Sequence, residues 1–312
     1  MSKEKVFQYS ELYFLPSKEF GGIKKRVEDA KFVIFGVPYD ATTTFRPGTR
    51  FAPSSIREAS INIETVSILT KDYLEYVNFY DAGDLDVIGL DVKECLRRIT
   101  TTIEDIVRSG RFPIMIGGEH TITYAAIKAL RPDQIIIFDA HFDLRDEYPT
   151  STKLSHATVS RRIYEDIGVK NIVYLGVRAW SKEEYDFLKN TDIHVYDILS
   201  LKYSFNEALN TIKNLTRNHE KVYISIDMDA LDPSHAPGVS NPEPNGIYTH
   251  EIYPILKELI NEKLIGMDIV EVCPSFDNGN TSILAAKILI ECLTLWNKSF
   301  IDKVRSRLIK NP

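Results

Sequence analysis

The stretch "IIIFDAHFDLRDEY", Ile135–Tyr148, begins as a core strand and ends in charge. Four apolar residues run directly into Asp139, His141 and Asp143, all side chains that can ligate a metal. Acids are costly to take out of water, so three potential ligands directly behind a hydrophobic strand imply something that holds them there. The same arrangement recurs along the chain. Short apolar segments stand at "KFVIFGV" (31–37), "FPIMIGG" (112–118), "QIIIFDA" (134–140), "NIVYLGV" (171–177), "KVYISID" (221–227) and "LIGMDIVEV" (264–272). Their length and β-branched content predict buried parallel strands. Between them, "TYAAIKAL" (123–130), "NEALNTIKNL" (206–215), "EIYPILKELI" (251–260) and "SILAAKILIECLTLW" (282–296) carry helical spacing. Strands alternating with helices predict a doubly wound α/β sheet covered on both faces. No repeat, linker or low-complexity tract divides the chain, so residues 1–312 are expected to form one domain.

Composition narrows the function. The 312 residues carry 38 Lys and Arg against 44 Asp and Glu, a net charge of -6, so nothing suits the chain to neutralising nucleic-acid phosphates. No uninterrupted apolar run reaches the ~18 residues of a membrane span, and the N-terminus lacks the apolar core of a secretion signal. The expected location is cytoplasmic, without membrane partners. Cys95, Cys273 and Cys292 are far apart and form no CxxC pair, which predicts buried thiols.

The polar clusters all follow apolar strands: Glu119 and His120, then Asp139, His141 and Asp143, then Asp227 and Asp229, with Glu271 inside the last strand. Ligands bind at the carboxyl ends of strands in open parallel sheets, so the clusters are expected to converge. Strand alternation would put Asp139, His141 and Asp143 on one side, and Asp227 with Asp229 likewise. Taken singly, a DxHxD is equally well a surface turn, a DxD a loop, and His120 a core or capping histidine. Together they offer four carboxylates and two imidazoles, an oxygen-rich set that suits Mn²⁺ better than a thiolate-selecting metal. Paired, carboxylate-bridged ions are typical of hydrolytic centres.

The segments "GGEHTIT", "FDAHFD", "SHAT", "SIDMDALDPSHAPGVSNPEP" and "DIVEVCPSFD" resemble, in order, the signatures of the arginase and agmatinase superfamily of ureohydrolases. "FGVPYDATTTFRPGTRFAPSSIREAS" (35–60) resembles the N-terminal segment of agmatinases. The resemblance implies a three-layer α/β/α fold with a mostly parallel, eight-stranded sheet, two Mn²⁺ per chain, and a homo-oligomer, trimeric or hexameric. It also implies hydrolysis of a guanidino group to an amine and urea by a hydroxide bridging the ions. Carried over, His120, Asp139, Asp143 and Asp227 would hold one ion, and His141, Asp139, Asp227 and Asp229 the other, with Asp139 and Asp227 bridging. Asp143 would orient the attacking hydroxide, Glu271 would pair with the guanidinium, and His156 would shuttle protons to the leaving amine. His235 is expected only to pack.

The sequence departs from the family pattern at Glu119, where aspartate is usual, at Phe142, where threonine is common, and at Ala157, where glycine is common. Glu119 is expected to alter a bond that orients the metal. In "GVRAW", Ala179 replaces the aspartate by which arginases hold the substrate α-amino group, which favours agmatine, and so putrescine and polyamine synthesis, over arginine. Arg145 points instead to a carboxylate tail such as that of guanidinobutyrate, unless Asp146 and Glu147 neutralise it. A single-zinc deacetylase-like enzyme would leave His120 and Asp143 without a metal to hold, and a non-catalytic relative would be expected to lose ligands.

Overall fold

A computed structural model describes residues 6–310. Its strands are β1 (Phe14–Leu15), β2 (Phe32–Gly36), β3 (Phe79–Leu85), β4 (Phe112–Ile116), β5 (Gln134–Phe138), β6 (Ile172–Leu175), β7 (His194–Tyr196), β8 (Val222–Asp227) and β9 (Leu264–Val270). They form one sheet in the order β1-β3-β2-β4-β9-β8-β5-β6-β7. The sheet has nine strands where eight were expected. Eight of them run parallel, and the ninth, two-residue β1, pairs antiparallel with β3 at the edge.

The helices are α1 (Ala52–Ile61), α2 (Val92–Arg108), α3 (Thr123–Leu130), α4 (Val159–Arg162), α5 (Lys182–Leu188), α6 (Ile198–Tyr203), α7 (Phe205–Arg217), α8 (Thr249–Leu259) and α9 (Asn280–Lys310). Alternation along the strands feeds two cores. Phe32, Ile34, Ile136 and Ile224 face a cluster that includes residues of α1, α7, α8 and α9, whereas Val33, Phe35, Ile135 and Ile137 face one that includes residues of α2, α3 and α4. Fully buried strands need apolar residues on both sides, which is why they read as continuous apolar runs. All three cysteines are buried and free. Among the described residues, no helix is long and apolar enough to cross a membrane.

Strands β4 and β5 stop short of the expected ones at their carboxyl ends, at Ile116 and Phe138, whereas β8 ends at Asp227 as expected. The residues beyond leave the sheet and form loops above its centre. The four central strands β4, β9, β8 and β5 are followed by Glu119 and His120, Glu271, Asp229, and Asp139 to Asp143 respectively, with Asp227 closing β8.

Candidate metal centre

Each site residue is delivered by a turn. After β4 the chain passes through Gly117 and Gly118, and a Cβ on Gly118 would lie 1.9 Å from the Tyr39 carbonyl oxygen. Only glycine fits that approach. Glu119 N–H then donates to the same Tyr39 oxygen at 2.8 Å, and His120 opens the 3₁₀ turn that leads into α3. Beyond Phe138 the extended backbone expected through Asp143 does not persist: Asp143 has φ +53°, in the left-handed region that aspartate tolerates better than most residues. Asp227 likewise ends β8 and caps a 3₁₀ turn, accepting the Asp229 N–H at 2.8 Å. Turns, rather than alternation, bring these side chains together.

The six residues read as ligands converge. His120 Nδ1 lies 3.0 Å from Asp143 Oδ2, 3.1 Å from Asp139 Oδ2 and 3.4 Å from Asp227 Oδ2. His141 Nδ1 lies 3.0 Å from Asp229 Oδ2 and 3.5 Å from Asp139 Oδ1. Two groups with metal-ligating geometry result, His120–Asp139–Asp143 and Asp139–His141–Asp229, sharing Asp139, with ligand atoms within 4.8 Å of one another in each. Asp227 stands beside both groups, one oxygen engaged by the Asp229 N–H. Asp139 Oδ2 is buried without a well-aligned hydrogen bond. An orphaned carboxylate oxygen in such a place suits a cation, and the nitrogen and oxygen donors suit a divalent metal ion.

Electrostatics favour the same conclusion. Burial and the Asp139 carboxylate push Asp143 up to about 7. Burial, with Asp229 and Asp139 next in weight, pushes Asp227 well above the usual carboxylate range. Asp139 goes the other way, because the imidazoles of His120 and His141 set against it outweigh its burial and hold it low. Crowded carboxylates resist sharing negative charge without cations among them.

The structure adds support that the sequence reading missed. His120 Nε2 sits 3.1 Å from Ser225 Oγ, which donates at 2.6 Å to Asp268 Oδ1; Thr123 Oγ1 and Tyr223 OH donate to Asp268 Oδ2 at 2.8 Å each. With its proton committed to Asp268, the Ser225 hydroxyl accepts from Nε2–H, leaving the Nδ1 lone pair toward the carboxylates. The signal was Asp268 itself, an acid inside the apolar run "LIGMDIV".

Glu271 is nearly buried, with φ +66°. Its N–H donates to Gly118 O at 2.9 Å and its Oε1 accepts the His120 N–H at 2.7 Å, while Oε2 is buried without a hydrogen-bond partner. A non-glycine residue held in that conformation is costly and concentrates at functional sites. Burial and the Glu119 carboxylate push Glu271 up to about 8. Its side chain lines a cavity of about 400 Å³ together with His141, Asp143, His156, Asp227 and Asp229.

The outer wall of that cavity carries Arg145, Tyr148, Ala179, Trp180, Glu184 and Glu243. Asp146 and Glu147 do not neutralise Arg145: Asp146 pairs with Arg162 at 2.6 Å and Glu147 lies 3.8 Å from Lys153. Arg145 instead lies over the Tyr148 ring at 4.7 Å and 4.0 Å from Glu184. Phe142, buried, packs against Tyr174 and against Trp180 at 5.4 and 5.5 Å. Arg178 secures the rim by donating to six backbone carbonyls, those of Gly176, Asp229, Ala230, Leu231, Glu243 and Pro244. His235 packs, its ring 5.1 Å from that of Tyr248 and hydrogen-bonded to Thr249.

Comparison with known proteins agrees with this geometry. The pattern of the Arginase family matches residues 30–294. The chain is 37% identical over 287 residues to the agmatinase of Bacillus subtilis, covering 88% of this chain and 95% of that protein. It is 37% identical over 269 residues to the N(1)-aminopropylagmatine ureohydrolase of Thermococcus kodakarensis, covering 84% of this chain and 89% of that one. The structure of agmatine ureohydrolase from Thermoplasma volcanium superposes with a TM-score of 0.84 at 34% identity, covering 92% of this chain and 97% of that one. With its strand-end carboxylates and imidazoles and these matches across most of its length, the chain belongs to the arginase family and is a hydrolase acting on guanidino groups.

Proposed function

We propose that the chain binds two Mn²⁺ and hydrolyses agmatine to putrescine and urea. The observation that carries the two-ion reading is Asp139, common to both ligand groups and holding a buried oxygen without a hydrogen bond. His120, Asp139, Asp143 and Asp227 would hold one ion, and His141, Asp139, Asp227 and Asp229 the other. Two ions, when bound, supply acidified water as the nucleophile near neutral pH. The remaining steps fall to the chain. Glu271, tied down through Oε1, turns Oε2 to the guanidinium and fixes the carbon under attack. Asp143 hydrogen-bonds the incoming oxygen and orients it. His156 carries a proton to the departing amine.

The choice of agmatine rests on the wall. Ala179 offers no side-chain partner to an α-amino or α-carboxylate group, and Glu243, 39% exposed at the side chain and 3.8 Å from His141, gives the mouth an acid suited to an ammonium tail. Arg145 favours a second reading, a guanidino acid whose carboxylate meets the guanidinium, because its nearest acid, Glu184, already accepts bonds from Ser181 and the Leu144 N–H. Urea release by manganese-loaded protein, measured against agmatine, arginine, guanidinobutyrate and aminopropylagmatine, separates these. No urea from any guanidino compound would defeat the proposal.

A further inference from the structure

Glu119 directly precedes His120, yet its carboxylate hydrogen-bonds none of the residues read as ligands. Its carboxylate is completely buried and accepts Thr42 N–H at 2.8 Å, Thr42 Oγ1 at 2.6 Å, Thr121 Oγ1 at 2.7 Å and Thr43 Oγ1 at 3.3 Å. The carboxylate clamps the loop at Thr42 and Thr43. That loop reaches His156. Thr42 Oγ1 lies 3.2 Å from His156 N and 3.4 Å from its Nδ1, and Thr44 Oγ1 lies 3.3 Å from its Nε2.

The proton count on these groups decides the imidazole's tautomer. A threonine hydroxyl has one proton and two lone pairs. The Thr42 proton goes to Glu119, the closest acceptor in reach at 2.6 Å, whose two oxygens are ringed by donors: the Thr42 N–H and the Thr42, Thr43 and Thr121 hydroxyls. Toward His156, Thr42 Oγ1 can then only accept, taking the backbone N–H and the ring Nδ1–H. Nε2 is left with its lone pair, facing the rotatable Thr44 hydroxyl. Both His156 and Thr44 line the cavity, so the basic nitrogen and a hydroxyl able to pass a proton stand together. The glutamate side chain reaches the loop while its own backbone is held on Tyr39 O.

We propose that Glu119 is a positioning residue that, through Thr42, sets the tautomer and orientation of His156 for proton transfer. This rests on the reading of His156 as the proton shuttle. Glu119→Gln sets an amide NH₂ against either the N–H or the hydroxyl of Thr42 and breaks the clamp; Thr42→Val removes the relay; Thr42→Ser keeps the hydroxyl. With manganese-loaded protein, kcat is expected to fall roughly 10- to 100-fold in Glu119→Gln and Thr42→Val, the range of small misplacements of reacting groups. KM and metal content per chain should hold, and Thr42→Ser should recover most of the lost rate. The deciding measurement is a double-mutant cycle with His156→Asn: Glu119→Gln should cost nothing further in that background, because the group it positions is gone. An equal loss in both backgrounds, or loss of metal, would overturn the positioning role. Full kcat in His156→Asn alone would overturn the shuttle reading beneath it.

Discussion

Glu271 and His120 are tied to each other, the His120 N–H donating to the Glu271 carboxylate at 2.7 Å, while Glu271 N–H bonds to Gly118 two residues before His120. One oxygen is used for position and the other has no hydrogen-bond partner, which is the one the proposed reaction assigns to the guanidinium. Glu271→Gln can keep the first bond through its amide oxygen and loses the second, since its NH₂ would face guanidinium donors. Metal content should be unchanged and kcat/KM should fall by about 1.5–3 kcal/mol, the worth of a hydrogen bond to a charged group. Turnover near the parent rate would return Glu271 to the scaffold.

Asp139 belongs to both ligand groups, whereas Asp143 and Asp229 each belong to one. Asp139→Ala should therefore lower bound metal at both positions, and Asp229→Ala chiefly at the one shared with His141. Elemental analysis after exhaustive dialysis reads this out. Equal metal content in the two variants would contradict a shared ligand.

Asp268 accepts from Ser225, Thr123 and Tyr223, all donors, so Asp268→Asn must set an amide N–H₂ against at least one of them. The imidazole of His120 would lose its fixed tautomer. Groups that orient a ligand in this way are worth 10- to 100-fold in metal affinity, so chelator competition should show roughly that loss. Unchanged affinity would mean that His120 needs no such support.

For the substrate tail, agmatine should exceed arginine in kcat/KM by at least ~100-fold, about 2.7 kcal/mol of discrimination, because the arginine α-groups would be buried beside Ala179 without partners. Comparable rates would refute that role of Ala179. Preference for guanidinobutyrate, abolished by Arg145→Ala, would assign the tail to Arg145.

His156 titrates low, at about 4, because burial and the neighbouring His141 and His120 disfavour its charged form. An unfolded histidine binds a proton near 6.5, so between pH 6.5 and 4 the unfolded chain holds a proton that folded His156 does not. Stability contributed by the neutral ring is present above 6.5 and is lost as pH falls through that window, with a slope of up to about 1.4 kcal/mol per pH unit. Urea unfolding of His156→Asn should show a shallower acid limb there. An identical limb would mean that His156 takes up its proton as readily folded as unfolded.

The convergence of the candidate ligands was legible because each follows an apolar run, and a strand that buries both faces announces itself locally. The supports were not. Glu119 meets Thr42 across 77 positions and Thr42 meets His156 across 114, so nothing in local spacing joins them. Strand β3 was missed because Asp81 and Asp84 look like surface residues, although Asp81 is turned onto the buried guanidinium of Arg57 at 2.8 Å. Strands β1 and β7 are two and three residues long at the sheet's two edges, where partial exposure erases the apolar signal. Extending β5 through Asp143 failed because alternation has meaning only while neighbouring strands pair.

Arg178 grips its loops by main-chain oxygens alone, and a main-chain oxygen is the same whatever residue bears it. The segments around Glu243 and Pro244 can therefore change side chains without changing their mooring. Selection is free to rewrite the mouth while the floor stays put, so the rim is the natural place for directed evolution to retune this enzyme toward longer, shorter or differently charged guanidines, provided Arg178 itself is left alone.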